Sequence, residues 1–139
     1  MPDLIGILET SIYCDDLSVS CAFYEDVMGL AELKKTDRLC AFDVSGRSVL
    51  LLFLRGATAE GAVADGDNDI PGHDADGRIH FAFESTHDEL DMWIAHLEKH
   101  GIDILSRTSW MRGGKSIYFR DPDGHLLEIA ASPGLWPGH

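Results

Sequence analysis

Apolar and polar positions alternate over short stretches in the first part of the chain, except between residues 17 and 28. There Leu17, Cys21, Tyr24 and Met28 recur at helical spacing and Gly29 follows, which predicts a helix with a glycine stop. Asp15 or Asp16 is suited to cap its start. The surrounding pattern predicts four strands, at about 5–14, 31–35, 38–44 and 48–55, with a turn at Ser45-Gly46 between the last two.

The same order of elements recurs after a segment rich in Gly, Ala and Asp, residues 56–77, which is predicted to be a linker or loop. The second set comprises a strand at about 78–84, a helix at about 87–100 and strands near 102–106, 115–120 and 126–131. Two βαβββ modules, at about 5–55 and 78–131, predict one α+β domain over residues 1–139. We expect a curled mixed sheet with the helices on its outer face, which leaves the other face to form a ligand cup.

Strand parity assigns the side chains to these two faces, because successive residues of a strand point to opposite sides. Around "RIHFAFES", Ile79, Phe81 and Phe83 share the helix side, and His80 shares the cup side with Ala82 and Glu84. The same parity turns Leu126, Glu128 and Ala130 toward the cup on the last strand, and Ser116, Tyr118 and Arg120 on its neighbour. Glu9 occupies the position in the first module that matches His80.

Glu9, His80 and Glu128 are therefore predicted to point toward one concavity. One imidazole and two carboxylates suit Mn²⁺, Fe²⁺, Co²⁺, Ni²⁺ or Zn²⁺ and leave coordination positions open. The partner of Glu128 in the first module falls among residues 49–53, all apolar, so only His73 in the loop or a second chain could add a fourth ligand. The same residues also permit an alternative without a metal, in which His80 is a hydrogen-bonded core or rim residue and Glu9 is an edge or surface carboxylate.

Charge and cysteine content narrow the classes of function. Eleven Lys and Arg against twenty-four Asp and Glu give a net charge of −13, so binding to nucleic acid or to an anionic membrane is not expected. No apolar run reaches the length of a membrane span and no signal peptide is apparent. Three cysteines without metal-type spacing predict reduced, mostly buried thiols in a cytoplasmic protein.

Three segments carry a resemblance to a known family: "YCDDLSVSCAFYEDVMGL" (residues 13–30), "IHFAFES" (79–85) and "SIYFRDPDGHLLEIA" (116–130). With them, nearly the whole chain resembles the vicinal oxygen chelate superfamily, which comprises glyoxalases, bleomycin-resistance proteins and extradiol dioxygenases. The resemblance implies a glyoxalase-like fold and metal ligands on the first and last strands of each module, here Glu9, His80, a position near 50–52, and Glu128. Glu9 stands where His or Gln is frequent, and an aliphatic residue stands where glyoxalase I usually has Glu. Both departures weigh against lactoylglutathione lyase, extradiol dioxygenase and fosfomycin-opening chemistry.

The leading functional hypothesis is accordingly a metal-dependent lyase, isomerase or dioxygenase-like enzyme. One divalent transition metal (Zn, Ni, Mn, Fe or Co) would chelate two oxygens of a small-molecule substrate and stabilise an oxyanion, with Glu9 or Glu128 moving a proton. Trp110, Arg112 and Tyr118 are predicted to line the substrate pocket, and a homodimer is expected. The alternative is a metal-free, bleomycin-resistance-type protein that sequesters a cationic ligand.

Overall fold

The structure is a computed structural model that describes residues 1–63 and 69–139. Two compact units make up the chain, Met1–Gly77 and Arg78–His139, and their division falls at the end of the predicted linker. Residues 64–68 of that linker lie outside the described residues. None of the helices in the described ranges is long and apolar enough to span a lipid bilayer.

The first unit contains one four-stranded mixed sheet and a short helical segment. Its strand order is β1-β4-β3-β2, in which β1 and β4 run parallel and the other pairs antiparallel. Its elements are β1 (Glu9–Cys14), α1 (Leu17–Ala22), a π-helix (Phe23–Val27), β2 (Ala31–Lys35), β3 (Leu39–Val44), β4 (Ser48–Leu54), β5 (Ala62–Val63) and β6 (Asp69–Ile70).

One face of this sheet forms the core of the first unit. Ile12, Cys40, Phe42 and Leu52 alternate onto that face and are almost fully buried, and α1 packs on β3 and β4 there. Asp16 caps α1 by accepting bonds from the amides of Ser18 and Val19. The predicted apolar spacing of this helix is therefore confirmed, although its second half is wound as a π-helix.

The second unit repeats the arrangement with strand order β7-β10-β9-β8, in which β7 and β10 run parallel. Its helix packs on β9 through a buried stripe that consists of Leu90, Ile94 and Leu97. Its elements are β7 (His80–Ser85), α2 (Leu90–Lys99), β8 (Ser106–Ser109), β9 (Lys115–Arg120) and β10 (Leu126–Ala131). The predicted α+β class, with two βαβββ modules of glyoxalase-like type, is confirmed.

Two strands begin later than the sequence predicts, and hydrogen bonding explains both shifts. β1 starts at Glu9 instead of residue 5 because its pairing with β4 begins there, and Leu4 and Ile5 before it are exposed. β8 starts at Ser106 instead of 102 because the backbone after α2 completes the helix end. The amide of Ile102 donates to the carbonyl of Leu97 there, as in a Schellman-type cap.

Both predicted turns form. Ser45 and Gly46 have φ values of 56° and 64°, the two positive values that a type I′ hairpin turn requires. At the second turn, the amide of Gly124 donates to the carbonyl of Asp121 at 3.0 Å. The segment "DPDGH" is thus a hairpin turn between β9 and β10.

Candidate metal centre

His80 is the first residue of β7 and presents one nitrogen outward. In the parallel register Leu126 lies opposite His80, and the Leu126 carbonyl oxygen is 2.9 Å from Nδ1 of the imidazole. A carbonyl only accepts, so Nδ1 carries the proton and donates, and Nε2 retains its lone pair in the neutral ring. This hydrogen bond is the usual second contact of a metal-binding histidine.

Glu128 lies on β10, on the same face of the sheet, and its residue is 5% exposed. Its Oε2 atom is 3.3 Å from Nε2 of His80. Its Oε1 atom is buried and finds no hydrogen-bond partner among the described residues. A buried carboxylate oxygen without a partner is costly. The Glu128–His80 pair therefore offers two ligand atoms, Oε and Nε2, that converge on one point.

Tyr118 completes this cluster from β9. It lies directly opposite Glu128 in the antiparallel register, its hydroxyl interacts electrostatically with the Glu128 and Ser116 side chains, and its ring centroid is 6.0 Å from that of His80. Burial, and next the negative charge of Glu128, raise the pKa of Tyr118 above its ordinary value. The phenol therefore stays protonated at neutral pH and is a hydrogen-bond donor in this cluster.

The other two predicted pocket residues lie on the hairpin between β8 and β9. Trp110 donates from its indole Nε1 to Oγ of Ser116 at 2.8 Å, so the indole is tied to the face that carries Tyr118. Arg112 is exposed in the turn of that hairpin. The structure thus brings His80, Glu128 and Tyr118 together, with Trp110 at the rim and Arg112 on the adjacent loop.

In the first unit, Glu9 occupies the register position that matches His80. Glu9 pairs with Val49 as His80 pairs with Leu126, so Leu51 matches Glu128. Glu9 is exposed. The aliphatic side chain of Leu51 confirms that the first unit lacks the carboxylate that the second unit carries on its last strand.

His73 does not stand beside Glu9 in the first unit. Its Nδ1 atom is 2.7 Å from the hydroxyl of Tyr13, and its ring lies 4.6 Å from that of Phe53. Tyr13 is four residues along β1 from Glu9, a rise of about 13 Å. His73 therefore belongs to an aromatic cluster at the opposite end of the strand from Glu9.

Comparisons with known proteins agree on one family. The model of the Glyoxalase/Bleomycin resistance protein/Dioxygenase superfamily matches residues 6–129. The chain belongs to this superfamily. It is 31% identical over 128 residues to a metallothiol transferase FosB of Bacillus licheniformis, covering 91% of this chain and 75% of the relative. It is 36% identical over 116 residues to a metallothiol transferase FosB of Lysinibacillus sphaericus, covering 82% and 73%.

Comparison with a solved structure supports the same family assignment for this chain. The lactoylglutathione lyase from Agrobacterium tumefaciens superimposes with a TM-score of 0.85 at 36% identity, over 94% of this chain and 96% of that one. The predicted resemblance to the vicinal oxygen chelate superfamily is therefore confirmed, and so is the predicted fold.

One residue that supports the cluster of His80, Glu128 and Tyr118 was not predicted from the sequence. His125, at the end of the "DPDGH" turn, is 1% exposed, and its Nδ1 atom accepts from the amide of Ile79 at 3.0 Å. Its own amide donates to Oδ1 of Asp121 at 2.8 Å. The turn thus holds the backbone immediately before His80. A histidine after a DPDG turn was the available signal, but its burial depends on packing.

Proposed function

We propose that this protein is a divalent-metal-dependent enzyme that acts on a small oxygenated metabolite. The observation that carries the proposal is the pairing of an imidazole whose Nδ1 donates to a backbone carbonyl with a buried carboxylate oxygen that has no hydrogen-bond partner within residues 1–63 and 69–139. Carboxylate and imidazole ligands suit Zn²⁺, Ni²⁺, Mn²⁺, Fe²⁺ and Co²⁺. The donor set thus fits the predicted metal, and membership in a superfamily with metallothiol transferase relatives supports it.

His80 and Glu128 would be two of the metal ligands, and Glu9 is proposed as the third. A bound divalent metal would supply Lewis-acid polarisation of two neighbouring substrate oxygens. Glu9 is exposed and acidic, which suits exchange of a proton with substrate or solvent, and Glu128 is the second candidate for that step. The proposed Glu9 ligand replaces the usual His or Gln, and Leu51 replaces the usual Glu of glyoxalase I. We therefore expect chemistry other than that of lactoylglutathione lyase.

Three side chains would bind the substrate. Tyr118 keeps its proton and can donate to a substrate oxygen. Arg112 carries a cation that can pair with a substrate carboxylate. The Trp110 indole, held by Ser116, offers an apolar wall at the rim.

Metal analysis tests this proposal directly. Protein purified without chelator or added metal should contain a transition metal, and chelation with EDTA should lower its melting temperature. His80→Ala should lose the metal of this site. His100→Ala is the matched control, because His100 is also exposed and its Nδ1 also bonds a backbone carbonyl, that of His96, at 2.8 Å. The proposal fails if the wild-type protein contains no transition metal and EDTA leaves its melting temperature unchanged.

We also propose a homodimer. Leu4, Ile5, Ile7 and Leu8 precede β1 and are 71% exposed or more, so they form an apolar segment that association could bury. Replacing Leu4 and Ile5 with Ser should shift sedimentation from dimer to monomer, and Met92→Ser, another exposed apolar position, is the control. A wild-type protein that sediments as a monomer would contradict this part of the proposal.

A cytoplasmic location is proposed because the cysteines are reduced. Cys14, Cys21 and Cys40 are buried thiols that form no disulfide, as expected in a reducing compartment. Fractionation of the host cells with an antibody to the protein would test this location.

A further inference from the structure

A second group of ligand-competent side chains lies in the first unit, on the core side of the sheet. Glu25 belongs to the π-helix, Glu32 to the edge strand β2 and Cys40 to β3. One ligand atom from each of these residues lies within 4.8 Å of the other two. Cys40 is on the face that packs under α1, opposite to the face of Glu9, because residues 40 and 52 pair on one side and residues 9 and 49 on the other.

The contacts inside this group leave one buried oxygen unexplained. The Cys40 thiol donates to Oε2 of Glu32 at 3.9 Å, and Lys35 lies 4.0 Å from the same oxygen, so Glu32 has ordinary partners. Oε1 of Glu25, however, is buried and has no hydrogen-bond partner among the described residues. This is a second, independent sign of an incomplete polar site.

The Cys40 sulfur is also paired with a second thiol. Cys40 and Cys21 are both 0% exposed, and their thiols lie close enough to influence each other's pKa. Burial is the main cause that raises the pKa of Cys40, to about 12. A neutral thiol of this kind reacts poorly with oxidants, which argues against a redox role, whereas a bound metal ion displaces the thiol proton outright.

We propose that Cys40, Glu25 and Glu32 form a site for a thiolate-binding divalent cation such as Zn²⁺, distinct from the His80–Glu128 centre. The Cys40–Glu32 distance of 3.9 Å is already close to the roughly 3.6 Å that separates a sulfur and an oxygen ligand of tetrahedral zinc. Binding forms a sulfur–metal bond and releases the Cys40 proton to solvent. Cys21 hydrogen-bonds to the bound sulfur and orients it.

The site has an entry path and a structural consequence. The Glu32 side chain is 39% exposed, so a cation can enter from the edge of the sheet. Its three ligands come from the π-helix and two adjacent strands, and binding would therefore fasten that irregular turn to β2 and β3. π-helical turns are frequent at functional sites.

Cobalt spectroscopy tests the site in the intact protein, kept reduced with a phosphine. One equivalent of Co²⁺ should produce an intense near-ultraviolet thiolate-to-cobalt band, and Zn²⁺ should abolish it by displacement. The band should persist in His80→Ala, since the His80–Glu128 centre contains no thiolate. The two proposals can therefore fail independently. Metal loss in His80→Ala reports on the His80–Glu128 centre, whereas the thiolate band reports on the Cys40 site.

Two variants assign the ligands. Cys40→Ser should lose the band, whereas Cys14→Ser should keep it, because Cys14 is an equally buried thiol that donates to the Phe53 carbonyl. Glu25→Gln changes no core volume and should weaken Co²⁺ binding about 10- to 100-fold. The proposal is overturned if wild-type protein shows no thiolate band at saturating Co²⁺, or if Glu25→Gln binds Co²⁺ as tightly as wild type.

Discussion

Glu128 is expected to stabilise the metal-bound protein and to destabilise the metal-free one, so Glu128→Leu should separate the two effects. The residue is 5% exposed, and its Oε1 atom has no partner among the described residues. Burying an unsatisfied polar group costs about 1–3 kcal/mol, and more when the group is charged. Leucine removes that cost and keeps the site filled.

The losses that accompany this substitution are smaller. The His80 side chain is 47% exposed, so its Nε2 can bond water after the carboxylate is removed. Tyr118 keeps its interaction with the Ser116 side chain. We therefore expect Glu128→Leu to raise the free energy of unfolding by about 1–2 kcal/mol in EDTA, within the range seen when a buried ionic pair is replaced by an apolar residue. For a domain of this size, that is a rise of about 4–8 °C in melting temperature.

Added metal should reverse the order of stability. A ligand present at 100 times its dissociation constant stabilises the folded state by about 2.7 kcal/mol, which the wild-type protein should gain and Glu128→Leu should not gain at this centre. Urea titrations with EDTA, and then with the metal found in the purified protein, measure both values. Glu60→Leu, at an exposed position of the first unit, should stay within about 0.5 kcal/mol of wild type. A Glu128→Leu protein less stable than wild type in EDTA would refute the reasoning.

Three further outcomes are expected. Tyr118→Phe should lower stability by about 1 kcal/mol in urea titrations, because the hydroxyl interacts with the Glu128 and Ser116 side chains; an unchanged midpoint would contradict a stabilising role for that interaction. In EDTA, unfolding should become easier between pH 9 and 12. The folded Cys40 thiol, with its pKa raised to about 12, binds its proton more tightly than the unfolded chain does, so stability falls by up to about 1.4 kcal/mol per pH unit. Cys40→Ser should reduce the fall of the unfolding free energy with pH in this range. An equal fall in the variant and the wild type would contradict the role of Cys40. Leu127→Ala, at 0% exposed, should cost about 2–5 kcal/mol, measured against the half-buried Leu126→Ala, which should cost less.

Parity along the strands was enough to predict which residues of the second unit share a face. His80, Glu128 and Tyr118 were assigned to one side because side chains alternate with a period of two, whatever the rest of the fold does. The internal repeat likewise predicted that an apolar residue among positions 49–53 would match Glu128. These inferences depend on local geometry, which a single sequence contains.

Strand register and packing determined the contacts within the two candidate sites. The hydrogen bond from His80 to the Leu126 carbonyl and the burial of His125 depend on how two strands are aligned, and the apolar pattern alone specifies neither. The group of Glu25, Glu32 and Cys40 could not be predicted from the sequence either. Its spacing fits no metal motif, and its members meet only because a π-helical turn places Glu25 over the edge of a sheet formed by residues distant in the chain. The sequence by itself thus determined which side chains lie on the same face of a sheet. The tertiary structure determined which atoms come within bonding distance, because those distances depend on contacts between segments far apart in the chain.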